Sequence, residues 1–181
     1  DEHFRKAFLF YAMTGCRLAE AFEGILSGDW LIITPEVAKA HTTREVQLNK
    51  ITKSILLEMR NRYDERIGKS MHGTYKNTHK GIIDSYSKEF KKAVKELGFG
   101  EHKFHNLRDT YAVRRWIEVG DIHLVAKEIG HSSVTMTEKY ADFNLRRLAV
   151  DFPSLDGIIQ SRIGKTVTND SLIGIGSHLL G

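Results

Sequence analysis

A histidine and an arginine stand three residues apart in the stretch HNLRD, as His105 and Arg108. At the start of a helix, this spacing projects both side chains from nearly the same face, and the unpaired backbone N–H groups there add positive potential. A guanidinium makes a planar two-point contact with a phosphate, and an imidazole can donate or accept a proton near neutral pH. The pair is therefore suited to phosphate chemistry, although most such pairs are ordinary surface residues of a helix.

Arg17 is a second candidate phosphate ligand, because it follows a Thr-Gly break at the start of a predicted helix. Glu20 lies one turn further on and could hold the guanidinium in a fixed orientation. An ordinary surface ion pair at i,i+3, worth roughly a few tenths of a kcal/mol, explains the same spacing. The sequence leaves both interpretations open.

Three further residues have chemically useful side chains. Lys39 lies in the polar turn AKAHTT, from which a long ammonium can reach a cleft, although most lysines of hairpin turns only solvate an edge. His131 opens the stretch HSSVTMTEKY, and Tyr140 closes it nine residues later. Tyr140 is either a packing residue or a nucleophile that needs help to lose its proton, because a phenol has a pKa of about 10.

The elements that must position these residues are mostly helical. Apolar spacing predicts a helix from Phe4 to Ala12, a second helix capped by Thr14 and ended by Gly28, and a hairpin formed by DWLIITPEV and REVQL. A helix is predicted at 51–66, followed by a loop, GKSMHGTYKNTHKG, and by a helix at 83–97 that buries Leu97. A further helix, NLRDTYAVRRWIEV, is predicted to end at Gly120, and Asp121 is predicted to cap a short helix after it. We expect an α+β, mostly helical fold with a small antiparallel sheet near the N-terminal third.

Length and composition favour one domain with a tail. With 181 residues and 41% hydrophobic residues, the chain is long enough for one core, which we expect in 1–150, and 151–181 reads as a tail. A single cysteine, Cys16, excludes an internal disulfide framework. The absence of a leader peptide and of a long apolar run predicts a cytoplasmic protein with no membrane partner.

Positive charge is concentrated in one part of the chain. The net charge is +4, and residues 50–100 carry 12 Lys and Arg against 6 Asp and Glu. Such a surface suits a polyanionic partner, and a solvated helix face is the ordinary alternative.

The order Arg, Lys, HxxR, Gly-His and Tyr resembles the catalytic domain of the tyrosine recombinases, the phage integrase family, over residues 4–150. The matching stretches are TGCRLAEA, VAKAHTTREVQL, HNLRDTYA and IGHSSVTMTEKYA. Cys16 and Ala21 stand where aliphatic residues are usual, and Gln47 where proline is frequent. The resemblance implies that fold and site-specific DNA recombination.

The resemblance also implies a role for each candidate residue. Tyr140 attacks a DNA phosphodiester, which yields a 3'-phosphotyrosyl enzyme and a free 5'-hydroxyl, with no cofactor and no metal. Arg17 and Arg108 hold the non-bridging oxygens. The histidines and the lysine complete the site: His105 and His131 donate hydrogen bonds to the phosphate, His105 accepts the tyrosine proton, and Lys39 protonates the departing 5'-oxygen.

The partners that the resemblance implies are double-stranded DNA and further copies of the chain. Recombinases of the family act as homotetramers on paired DNA sites, and a monomer in free solution stays open. The tail 151–181 is expected to dock in trans on a neighbouring subunit or in cis. The protein is expected in the cytoplasm, or in the host cytoplasm if a phage encodes it. Because the family's N-terminal helical domain is not in this chain, weak and salt-sensitive DNA binding is expected.

Several alternatives remain open at this point. A type IB topoisomerase shares the chemistry and acts as a monomer. A helix-turn-helix regulator would use residues 121–140 to bind the major groove, but it leaves Arg17, Lys39 and the HxxR pair unexplained. Metal-dependent chemistry would need converging carboxylates, or a zinc site from His102, His105 and His131, for which no cysteine or nearby carboxylate completes the ligand set.

Overall fold

The computed structural model describes residues 1–38, 42–69, 75–100, 102–131, 150 and 155–161. The elements in chain order are α1 (Glu2–Thr14), α2 (Glu20–Glu23), β1 (Ile25–Ser27), β2 (Trp30–Ile33), β3 (Arg44–Gln47), α3 (Lys50–Gly68), α4 (Tyr75–Glu96), α5 (Asn106–Val119) and α6 (Ile122–Ile129). A short helical segment also covers 156–161. Of the described residues, no helix is both long and apolar enough to cross a membrane.

The helices that border the site have defined ends. In α1 the Asp1 side chain accepts a hydrogen bond from the backbone N–H of His3, and the helix ends at Gly15 in the left-handed conformation, with φ 64°. The carboxylate of Asp121 accepts hydrogen bonds from two backbone N–H groups at the start of α6, which ends at Gly130 with φ 64°. Gly120 ends α5 in the same way, with φ 75°. The predicted stop at Gly120 and cap at Asp121 are therefore present.

The three strands form one antiparallel sheet in the order β1-β2-β3. Across β2 and β3, Leu31 pairs with Val46 and Ile33 pairs with Arg44. All four side chains lie on the buried face of the sheet, with Arg44 8% exposed. A charged side chain therefore occupies a position that the alternation of the strand would reserve for an apolar residue.

Two clusters of buried side chains form the core. The larger one joins α1, the sheet, α3 and α4, and its most buried large residues are Phe10, Tyr11, Leu31, Ile33, Leu56, Met59 and Tyr86. The smaller one joins α5 and α6 with Leu155 and Ile159. Helix α1 also packs against α5. This packing brings the end of α1, the start of α5 and the end of α6 to one corner of the molecule.

The prediction for the second helix was wrong. Thr14 is the last residue of α1, where its hydroxyl donates to the carbonyl of Phe10, and it does not cap α2. Helix α2 has only four residues, and the chain enters β1 directly after Gly24. A Cβ on Gly24 would lie 2.9 Å from side-chain atoms of Leu31 and Ile33, so the sheet packs too closely here for an ordinary helical residue. Gly28 lies in the turn between β1 and β2.

The predictions around α4 also need correction. The helix begins at Tyr75, inside the stretch predicted as a loop. His79 contacts both Tyr63 of α3 and Glu23 of α2, which anchors this early part of the helix. Leu97, predicted to be buried, is 68% exposed because the helix ends at Glu96 and the chain turns away.

Candidate active site

Two guanidinium groups meet at the corner formed by the ends of α1 and α6 and the start of α5. Arg108, in the first turn of α5, donates from Nη1 to the carbonyl of Gly15 at 2.5 Å and from Nη2 to the carbonyl of Ile129. Arg17, just after α1, donates from Nη2 to the carbonyl of Gly130 at 2.9 Å. Two arginines 91 residues apart in sequence are therefore fastened to the same turn at the end of α6.

These arginines line one pocket together with His105. The pocket has a volume of about 310 Å³ and is lined by Tyr11, Cys16, Arg17, Leu18, Phe104, His105, Leu107 and Arg108. His105 lies at the start of α5 and is exposed, so its ring is accessible from solvent. Burial raises the pKa of the Cys16 thiol, and this side chain therefore contributes a neutral, apolar surface to the pocket wall.

Glu20 lies between Arg17 and a further arginine, Arg44. Its Oε1 accepts from Arg17 Nη1 at 2.9 Å, and its Oε2 accepts from the backbone N–H of Arg17 at 2.6 Å and from Arg44 Nη2 at 2.5 Å. The carboxylate is 1% exposed, so this is not a surface ion pair. Burial on its own raises the pKa of Glu20, but Arg44 and Arg17 outweigh it and hold the pKa below its ordinary value.

Arg44 is the residue of this cluster that sequence reasoning missed. Besides Glu20, its guanidinium binds the carbonyl of Glu128 in α6 through Nη1 at 3.0 Å. The signal in the sequence was the alternation of REVQ, which puts Arg44 on the same face as Val46 and opposite Glu45 and Gln47. A buried arginine on the apolar face of a strand needs buried acceptors.

Positive charge exceeds negative charge in this cluster. Arg17, Arg44 and Arg108 surround one carboxylate, Glu20. Burial, and then the nearby charges of Arg17 and Arg44, lower the pKa of Arg108 to about 9. The Nε atoms of Arg44 and Arg108 are buried and have no hydrogen-bond partner among the described residues. Because unpaired buried charge is unfavourable, the cluster is suited to binding an anion.

Two glycines allow the backbone to approach the guanidiniums. Gly15 and Gly130 both have φ 64°, which residues with a Cβ rarely adopt. A Cβ on Gly15 would lie 2.5 Å from the ring of Tyr111, and a Cβ on Gly130 would lie 2.8 Å from Cδ of Arg44. Their carbonyls are the acceptors for Arg108 and Arg17 described above.

Of the three remaining predicted site residues, the structure describes only His131. His131 directly follows Gly130, is half-buried, and donates its backbone N–H to the carbonyl of Ala126 at 2.9 Å. Lys39 and Tyr140 lie outside the described residues. Within the described part of the chain, no group of three or more His, Cys, Asp or Glu side chains could hold a metal ion, so His102, His105 and His131 do not form one.

The chain matches the phage integrase family over residues 3–147, and it belongs to that family. The predicted family is therefore confirmed. The match favours neither the topoisomerase nor the helix-turn-helix regulator. No curated protein sequence matches the chain.

Solved structures show the same fold. The XerA recombinase matches with a TM-score of 0.51 at 17% identity, over 83% of this chain and 63% of that one. The XerH recombinase bound to its difH substrate matches with TM-scores of 0.53 in the post-cleavage complex and 0.52 in the pre-cleavage complex, at 20% and 19% identity, each over 82% of this chain. The chain spans 45% and 46% of those two XerH chains. The predicted fold class is confirmed.

Proposed function

We propose that the chain is the catalytic part of a site-specific DNA recombinase that cuts and rejoins strands through a 3'-phosphotyrosyl intermediate on Tyr140. The observation that supports this most directly is the shared corner of Arg17 and Arg108, which line one pocket and are both anchored at the end of α6. Membership of the phage integrase family supports the reaction type.

The two arginines are suited to stabilise a phosphorane because their positions are fixed before DNA binds. Each guanidinium has five N–H donors, and the contacts described above use only some of them. The remaining donors can bind the non-bridging oxygens. Since the guanidiniums are already held by Glu20 and by backbone carbonyls, little reorganisation is needed as negative charge develops on the phosphate.

Proton transfers complete the proposed reaction. As the Tyr140 oxygen bonds to phosphorus, its proton passes to His105, and the bond from phosphorus to the 5'-oxygen breaks. Lys39 gives a proton to that oxygen, because an alkoxide is a poor leaving group. His131 donates a hydrogen bond to the phosphate. A 5'-hydroxyl reverses the same steps when it attacks the phosphotyrosine.

Double-stranded DNA is the proposed partner. The excess positive charge of the pocket fits a phosphodiester, and α4 presents the exposed lysines Lys88, Lys91, Lys92 and Lys95. We further propose a homotetramer on paired sites as the assembly that exchanges strands.

Capture of the covalent intermediate tests the proposal. A library of duplexes with randomised sequence and one nick is incubated with the protein, and adducts are selected on a denaturing gel and sequenced. The nick lets the short 5'-hydroxyl strand diffuse away, so that the adduct accumulates. We expect one family of DNA sites to form an adduct with the wild type and none to do so with Tyr140→Phe.

Tyr63→Phe is the matched control, since Tyr63 of α3 contacts His79 and Phe22 and does not line the pocket. It is expected to retain the adduct. An adduct that persists in Tyr140→Phe, or its absence from the wild type with every duplex, would contradict the proposed function.

A further inference from the structure

Arg44 connects three parts of the site without lining the pocket itself. It begins β3, five residues after Lys39 in the sequence. Its Nη2 binds the carboxylate of Glu20, and its Nη1 binds the carbonyl of Glu128 near the end of α6. Its Cδ lies against Gly130, where a Cβ would be only 2.8 Å away. The pocket itself is lined by Arg17 and Arg108.

We propose that Arg44 is a positioning residue of the recombination site, which holds Glu20 against Arg17 and fixes the end of α6 from which His131 emerges. This inference rests on the proposed function, because it assigns a role within that reaction. Arg44 acts on the phosphate only through Glu20 and through the turn at Gly130.

The geometry of the contacts explains why an arginine is needed. Its two acceptors belong to different elements, a side-chain oxygen on α2 and a backbone oxygen on α6. A guanidinium can bind both at once through its two terminal nitrogens, whereas the ammonium of a lysine is a single point charge. Replacement by an apolar residue leaves both acceptors without this donor in a buried region.

The charge of Arg44 also keeps Arg17 available to substrate. Glu20 is shared between two guanidiniums, so its negative charge is only partly compensated by Arg17. Without Arg44, the whole carboxylate charge acts on Arg17, and the attraction of that guanidinium for a phosphate is weakened. The expected defect is therefore in the cleavage step, because it concerns the orientation and charge of a group that stabilises the transition state.

The test measures single-turnover adduct formation with a nicked duplex selected from the randomised library, at saturating DNA, in Arg44→Met and Arg44→Lys. We expect the cleavage rate of Arg44→Met to fall by about 10-fold to 100-fold while the apparent DNA affinity changes by less than about twofold. Arg44→Lys should lie between this variant and the wild type, because it keeps the charge but cannot make both contacts.

Arg60→Met is the matched control for a purely structural effect. Arg60 of α3 binds the carbonyls of Ala21 and Gly24 at 2.8 and 2.6 Å, so it holds the same short helix α2 without changing the charge around Glu20. We expect it to lower the melting temperature and to leave the cleavage rate unchanged below the unfolding transition. Equal rate losses in Arg60→Met and Arg44→Met would overturn the inference.

A double-mutant cycle gives a second readout. Because Arg44 acts partly through Glu20 and partly through the turn at Gly130, the rate losses of Arg44→Met and Glu20→Gln should combine to clearly less than their product in the double variant. Multiplicative losses overturn the inference. If Arg44→Met fails to fold, Arg44→Lys carries the test, and a cleavage rate equal to wild type in that variant overturns the inference.

Failure of the proposed function can be distinguished from failure of the role assigned to Arg44. Wild-type protein that forms no adduct with any duplex contradicts the proposed function itself. Wild-type protein that forms the adduct, together with Arg44→Met that cleaves at the wild-type rate, contradicts only the role of Arg44.

Discussion

At the scale of single residues, the site depends on a charge that the fold itself does not neutralise. Arg108 is 2% exposed and lies near two other guanidiniums, with Glu20 as the shared carboxylate. Its two terminal nitrogens bind backbone carbonyls, which are dipoles and carry no net charge. The positive charges of these guanidiniums repel one another, and a bound phosphate offsets this repulsion, which contributes to its binding free energy.

The pKa of Arg108 predicts how anion binding depends on pH. Because the pKa of Arg108 in the folded state is lowered to about 9, the charged form destabilises the folded state. This cost is fully present below about pH 9 and decreases steadily as pH rises above that value. We expect the rise in melting temperature caused by inorganic sulfate to be larger at about pH 7 than at about pH 10, since sulfate keeps its charge throughout.

Arg108→Met supplies the reference for that measurement. Sulfate also stabilises proteins generally by exclusion from their surfaces, and this part of the effect remains in the variant. The difference between wild type and Arg108→Met at equal ionic strength isolates the pocket. A difference that is the same at both pH values, or absent, would argue against an anion site at Arg108.

The site residues that could be predicted from the sequence are recognised by their local spacing, whereas the one that was missed, Arg44, is recognised only by contacts with residues distant in sequence. His105 and Arg108 stand at helical spacing, and Arg17 follows a visible break, so their patterns are local and readable. The role of Arg44 follows from its hydrogen bonds to Glu20 and Glu128, which lie 24 residues before it and 84 residues after it. Such a contact depends on how the sheet packs against α6, and local spacing does not contain that information.

At the scale of elements, the turn at Gly130 joins α6 to the pocket. This turn supplies the carbonyl that binds Arg17, packs against Arg44, and leads into His131. Local patterns predicted both α6 and its cap at Asp121. They did not predict the short α2 or the strand β1, because the close approach of Gly24 to Leu31 and Ile33 is a contact of the folded sheet that local spacing does not contain.

Gly130→Ala is expected to impair the site more than it impairs the fold. Its φ of 64° and the 2.8 Å approach to Arg44 require either strain or a shift of the turn. We expect a loss of unfolding free energy of about 1–3 kcal/mol, measured by urea denaturation, together with a slower cleavage rate in the adduct assay.

Gly98→Ala is the matched control for this substitution. Gly98 has a similar φ of 73°, but nothing lies within 4 Å of its Cβ position. It should show a comparable strain cost and an unchanged cleavage rate. If both variants cleave like wild type, the turn at Gly130 has no part in positioning the arginines.

At the scale of the whole molecule, the segment after Tyr140 has two parts with different expected roles. Leu155 and Ile159 are 5% and 0% exposed and pack with α5 and α6, so residues 155–161 contribute to the core of this domain. Residues 166–181, which include the apolar stretch SLIGIGSHLLG, lie outside the described residues. We propose that this last stretch docks on a neighbouring subunit when DNA sites pair, or in cis without DNA.

Deletion of residues 166–181 should therefore separate assembly from chemistry. The deletion keeps Ile159, so we expect an unchanged melting temperature and an unchanged adduct yield on single nicked duplexes. Pairing of two DNA sites, measured as a slowly migrating complex on a native gel, should decrease, because the proposed contact between subunits is lost. Ile159→Ala gives the opposite pattern: it should lower the unfolding free energy by about 2–5 kcal/mol through a core cavity. A truncated protein that pairs sites and recombines them as well as the full chain would show that residues 166–181 make no contact on which the assembly depends.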